Sequence, residues 1–153
     1  MPRILLVDDE PNIRWTMSEF LNRKGYETLT AGDVDSAISI IETSELDAAV
    51  VDIVLPRRSG IDLLQHLQGS EPFIPVIVIT GEPSLSVLPE VVRAGAYDFI
   101  AKPVRPDALV NAVSKAVEQK RLVEEKRRLE QVLKQHDEEK IAALARMAAQ
   151  VAH

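Results

Sequence analysis

The chain has 153 residues, 18 basic and 24 acidic, a formal net charge of −6, no cysteine and only 4% aromatic residues. That length holds one compact domain of roughly 100–150 residues with an appendage, and the lack of cysteine excludes a disulfide scaffold, a thiolate zinc site and a cysteine nucleophile. No apolar run nears the ~18–20 residues of a membrane span, the N-terminus is no signal peptide, and the acidic balance argues against direct nucleic-acid binding. A cytoplasmic protein is expected. The charge is unevenly placed: residues 1–106 carry −7, whereas residues 107–153 carry +1.

In chain order, an apolar run at residues 4–7 stops at Asp8-Asp9. A helical pattern follows over 13–23, with Pro11 in its opening turn and Gly25 beyond its end, both favourable boundary residues. Residues 26–30 read as the second strand and 36–43 as the second helix. The third strand, 48–51, runs into Asp52 and precedes a helix at 61–67. A fourth strand at 76–79, a helix at 85–93 and a fifth strand at 97–101 complete the alternation. Short Val- and Ile-rich runs, apolar at successive positions, predict strands covered on both faces. Five such repeats in ~120 residues predict a doubly wound parallel sheet with helices on either side. Pro89 departs from the pattern. A proline inside a helix removes a hydrogen bond and clashes with the preceding turn. The fourth helix should therefore start late, near Pro89, or be short and kinked, with Pro83 stiffening the loop before it.

From Pro106 no proline or glycine interrupts the chain, so one long helix is expected from Asp107 onward. Leu109, Val113 and Val117 can pack on the sheet. Past Glu118 the composition turns to Lys, Arg and Glu around Leu122, Leu129, Leu133, Ile141, Leu144, Met147 and Val151. A narrow apolar seam among charges suggests a partner helix, here a homodimeric coiled coil through residues 118–151. The alternative is a solvated helix held by i,i+4 ion pairs. The heptad is broken at residues 136–140, and Leu122, Leu133 and Leu144 recur at eleven instead.

Ligands of open α/β sheets bind outside the carboxyl ends of the strands. Asp8, Asp9, Asp52, Thr80 and Lys102 all fall at such ends. One of them alone would read as a helix cap, and the set can also be read as a salt-bridged acidic cluster around Lys102. Together they have a coherent chemistry. Three crowded carboxylates call for a cation, and oxygen-only ligands suit Mg²⁺. A desolvated aspartate can attack phosphorus to give an acyl phosphate, with a lysine offsetting charge on the phosphoryl oxygens.

Four runs in order carry a family resemblance: Ile4-Leu5-Leu6-Val7-Asp8-Asp9-Glu10, Val51-Asp52-Ile53-Val54-Leu55-Pro56 with Gly60, Val78-Ile79-Thr80-Gly81, and Gly95-Ala96-Tyr97-Asp98-Phe99-Ile100-Ala101-Lys102-Pro103. They resemble the receiver domain of two-component response regulators, over roughly residues 1–122. The resemblance implies a flavodoxin-like five-stranded fold at residues 1–120, followed by a helical extension at 121–153. It implies that Asp52 is the phosphoacceptor for a histidine kinase or phosphotransfer protein. Asp8 or Asp9 would bind Mg²⁺, with Asp52 and the main-chain carbonyl of Val54. Thr80 would be the switch hydroxyl, Lys102 the phosphate-pairing cation, and Lys102-Pro103 a cis bond. Phe99 falls at the second switch position, or is simply an edge-strand core residue. Such a domain is a phosphoacceptor and not an enzyme in its own right.

Other residues stand apart from these motifs. Trp15, the only tryptophan, is a docking residue or a packed one; His66 should be on the surface; Arg57-Arg58 steer phosphate or kinase, or are solvated. The run from Leu144 to His153 resembles the approach to the phosphoacceptor histidine of a histidine kinase. The alternative function is therefore the regulatory fragment of a hybrid kinase, truncated at His153. In either case 153 residues leave no room for an output domain beyond the tail.

Overall fold

The computed structural model describes residues 1–81 and 87–151. Pro83, the expected helix start at Leu85, and His153 lie outside the described residues. The chain divides into two compact units, Met1–Lys120 and Arg121–His153.

The first unit alternates β1 (Arg3–Val7), α1 (Pro11–Asn22), β2 (Glu27–Ala31), α2 (Val34–Thr43), β3 (Ala48–Asp52), α3 (Gly60–Leu67), β4 (Val76–Thr80), α4 (Leu88–Arg93) and β5 (Asp98–Ala101) before α5 (Pro106–Val151) begins. All four strand pairings are parallel, in the order β2-β1-β3-β4-β5. This is the flavodoxin-like doubly wound order, whose strand order reverses between β1 and β3.

Side chains alternate across a strand, so each central strand supplies two cores. Leu5, Val7, Ala49, Val51, Val76 and Val78 pack with residues of α2, α3 and α4. Ile4, Leu6, Ala48, Val50, Ile77 and Ile79 pack on the opposite face with Met17 and Leu21 of α1 and with Leu109, Ala112, Val113 and Ala116 of α5. The expectation of strands covered on both faces holds for β1, β3 and β4 and fails for β2 and β5, which are largely part-exposed or exposed. Both are edge strands, with a neighbour on one side only.

Local chemistry sets the helix boundaries. Pro11 opens α1, Asp33 caps α2 by accepting from the Ser36 N–H at 2.8 Å, and Ser59 with Asp62 forms a capping box on α3. Gly25, past α1, has φ +91°, a left-handed conformation that costs glycine nothing. Among the described residues α4 is only six residues long, with Pro89 in its first turn, where no helical N–H partner is lost. Lys120, at the end of the unit, is buried and donates to the Leu46 carbonyl.

In the second unit, α5 continues to Val151. No described residue beyond Lys120 is buried. Its surface carries i,i+4 contacts, Arg121–Glu125 at 3.0 Å and Gln135–Glu139 at 3.4 Å, beside exposed Leu129, Leu133, Leu144 and Met147.

Candidate functional site

The polar residues expected at the strand ends come together at the carboxyl edge of the sheet. Asp8 directly follows β1, Asp52 and Thr80 are the last residues of β3 and β4, and Lys102 directly follows β5. Register brings these ends level: Asp52 pairs with Ile79, Thr80 pairs with Ala101, and the Lys102 N–H donates to the Thr80 carbonyl at 2.8 Å. Asp8, Asp52 and Thr80 are buried. They are the only buried polar or charged residues described besides Lys120.

Lys102 joins the carboxylates. Its ammonium donates to Asp52 Oδ2 at 2.7 Å and lies 3.2 Å from Asp8 Oδ2. The other Asp52 oxygen, Oδ1, accepts the Val54 N–H at 3.0 Å, and Asp8 Oδ1 accepts the Glu10 N–H at 2.9 Å. The Lys102–Asp8 approach has ion-pair distance without hydrogen-bond alignment, so Asp8 Oδ2 is a buried carboxylate oxygen with no hydrogen-bond donor. Its desolvation cost is offset in part by the Lys102 ammonium 3.2 Å away.

The electrostatics follow from that geometry. Burial holds the Asp8 carboxyl above its ordinary pKa, and the Asp52 charge adds to the effect, against the Glu10 N–H and Lys102. For Lys102 burial is the largest single influence and acts to lower its pKa. The hydrogen bond and charge of Asp52, with Asp8 behind it, outweigh that and raise it above the ordinary value. Two buried carboxylates therefore share one ammonium.

The carboxylates of Asp8, Asp9 and Glu10 lie within 4.8 Å of one another. This all-oxygen donor set fits a hard divalent cation such as Mg²⁺. Asp52 is not part of that cluster: Lys102 and the Val54 N–H hold its two oxygens. Glu10 was not anticipated in this cluster, although the run of three successive acids could have signalled it. Arg14 was also missed. It donates to the Asp8 main-chain carbonyl at 2.6 Å and lies where a side chain at Gly32 would crowd it, at 3.2 Å from a Cβ there.

The remaining candidates are dispersed. Phe99 is 45% exposed on β5, so the packed reading fails for it, as it does for Trp15 at 68%. Val54 is 73% exposed beside Asp52. Arg57 and Arg58 are exposed in the loop before α3. Arg57 has φ +70°, and Arg58 pairs with Asp35 at 3.3 Å. His66 is exposed, as expected. The Lys102-Pro103 bond is cis, and so is Glu71-Pro72, which had no sequence signal. Ile13, Met17, Phe20, Pro103 and Val104 help line a groove of about 470 Å³ that also touches Lys102.

The family model of the response regulator receiver domain matches residues 4–114. The chain belongs to that family. As a receiver domain it is 36% identical over 135 residues to the nitrogen assimilation regulatory protein NtrX of Azorhizobium caulinodans, covering 87% of this chain and 30% of that protein. It is 34% identical over 137 residues to the C4-dicarboxylate transport transcriptional regulatory protein DctD of Pseudomonas aeruginosa, covering 89% and 29%. Among solved structures, NtrX from Brucella abortus superposes with a TM-score of 0.78 at 36% identity, over 84% of this chain and 30% of that one. A CheY-like receiver domain protein from Methanospirillum hungatei gives 0.75 at 30% identity, over 79% and 97%. The receiver thus spans under a third of the length of the two regulators it resembles. By name these relatives are regulators and receiver proteins, which lends no support to the kinase reading of the C-terminal run. Among the described residues no helix is long and apolar enough to cross a membrane.

Proposed function

We propose that this receiver domain is phosphorylated on Asp52 by a histidine kinase or phosphotransfer protein. The observation that carries the reading is the Lys102 ammonium held between two buried carboxylates, 2.7 Å from Asp52 and 3.2 Å from Asp8. An Asp52 oxygen forms a bond to phosphorus while the bond from phosphorus to the donor imidazole nitrogen breaks, the electron pair leaving on that nitrogen. Lys102 faces the Asp52 charge and, once that charge is spent in the new bond, follows it to the phosphoryl oxygens. The Thr80 hydroxyl, at the next strand end, is the donor that a phosphoryl oxygen recruits. Mg²⁺ supplies charge neutralisation for the transferring group, and Asp8, Asp9, Asp52 and the Val54 carbonyl would hold it, with Glu10 a further carboxylate beside them.

Switching is a population shift in which the Thr80 contact favours one of two nearby states and Phe99 moves from its exposed position. The short α4 narrows the face that can respond there, so the state is read out through α5 and pairing of its tail with a second copy. The exposed Trp15 and the groove between α1 and Lys102–Val104 are where the phosphodonor docks.

Incubation with Mg²⁺ and acetyl phosphate, read by intact mass, should add one phosphoryl group to the wild type and none to Asp52→Ala. Equal labelling of both proteins would reject Asp52 as the acceptor.

A further inference from the structure

Arg14 takes no part in the exchange between Asp52, Lys102 and phosphate, yet it is tied to the loop that carries the acidic cluster. It is part-buried in α1, and its Nη1 donates to the Asp8 main-chain carbonyl at 2.6 Å. Among the described residues no ion pair joins it to a carboxylate. The charges that bear on the Asp8 carboxyl are those of Asp52 and Lys102. Arg14 is therefore a charged donor to backbone, a short and strong kind of hydrogen bond, and not a counter-ion of the cluster.

The backbone on either side of that carbonyl is fixed by other bonds. The Asp8 N–H donates to the Ala31 carbonyl at 3.1 Å, which ties the residue to β2. Asp8 Oδ1 accepts the Glu10 N–H, and the Glu10 carbonyl accepts the N–H groups of Ile13 and Arg14 as α1 begins. In the Asp8–Asp9 peptide the carbonyl is held by the Arg14 side chain. A peptide unit is planar, so holding its carbonyl also sets the Asp9 N–H and the Cα positions from which the Asp8 and Asp9 side chains leave. Gly32, just after β2, makes room for the guanidinium: a Cβ there would lie 3.2 Å from Nη1 and 3.8 Å from the guanidinium carbon. The glycines of positive φ are Gly25, Gly69 and Gly95, so Gly32 supplies space and not a left-handed turn.

We propose that Arg14 is a positioning residue: seated in the space Gly32 leaves, it holds the Asp8 carbonyl and so sets the loop from which Asp8 and Asp9 meet Mg²⁺. This rests on the reading of that cluster as the cation site, and it concerns the cation before any phosphoryl group arrives.

Mg²⁺ titration of the full chain by calorimetry, without a phosphodonor, is the deciding measurement. Arg14→Met keeps the apolar stem and removes every donor. It should raise the Mg²⁺ dissociation constant about tenfold, the low end for a group that orients metal ligands from behind. Arg14→Lys, which still offers a donor, should recover part of that loss. In acetyl phosphate labelling, Arg14→Met should raise the half-saturating Mg²⁺ by the same factor. Its rate at saturating Mg²⁺ should stay within about twofold of the wild type, because Asp52 and Lys102 are untouched. Gly32→Ala should weaken Mg²⁺ binding by itself and add nothing in the Arg14→Met background, as two residues acting through one contact do. A wild-type dissociation constant in Arg14→Met, or a full additive effect of Gly32→Ala on top of it, would overturn the proposal. A wild type that binds no Mg²⁺ would do the same. Labelling of Asp52→Ala would defeat the phosphoacceptor reading and leave the titration result standing, so the two failures are told apart.

Discussion

Asp8 illustrates how burial turns an ordinary strand-end aspartate into a strained one. Its raised pKa means that the folded protein holds the Asp8 proton more tightly than the unfolded chain does. The stability Asp8 contributes is therefore present at acid pH and is lost as pH rises through the folded value. Asp8→Asn removes that penalty while keeping an oxygen for the Glu10 N–H. Without metal at pH 7 the variant should melt above the wild type, and the gap should close toward pH 4. Added Mg²⁺ should raise the wild-type Tm by the binding free energy it contributes and leave Asp8→Asn nearly unshifted. A metal-free variant that melts below the wild type at pH 7 would contradict this account. Asp8, Asp52, Thr80 and Lys102 were all legible from their places at strand ends. The part taken by Glu10, and the Arg14 bond to the Asp8 carbonyl, depend on how the loop after β1 folds back, which spacing does not encode.

At the scale of elements, the loop from β3 to α3 positions Asp52 through one close approach. A Cβ on Gly60 would lie 2.1 Å from the Asp52 carbonyl oxygen, and the Gly60 N–H donates to the Ile53 carbonyl at 2.8 Å. Since backbone and not a flexible side chain stands in the way, the loop itself must shift. Gly60→Ala should cost about 1–3 kcal/mol by chemical denaturation, as overpacking does, and slow acetyl phosphate labelling because Asp52 moves with its carbonyl. Unchanged stability and labelling would show that the loop yields freely. The motif run from Asp52 to Gly60 made the glycine visible in the sequence, but the reason for it is a tertiary contact. β2 carries Glu27, Thr28 and Thr30, and β5 opens on Asp98, so both are more polar than β4, and the strand order leaves both at the edges.

For the molecule as a whole, every buried residue of the two cores lies at or before Lys120. Truncation after Lys120 should leave a folded domain that still labels on Asp52, and should convert a dimer to a monomer by sedimentation; an unchanged mass would remove the tail from assembly. The alternation of five apolar runs with helical spacings, the capping residues and the order of the four receiver motifs are local properties of the chain. They sufficed to determine the fold class, the family and the carboxylates that meet. Which strands lie at the edge, which oxygen of Asp8 is left without a donor, and that one lysine serves two buried aspartates were decided only by the tertiary structure. The physical reason is that burial and pairing are relations between segments far apart in the chain, and a side chain's charge, desolvation and partners exist only once those segments share the same few ångströms.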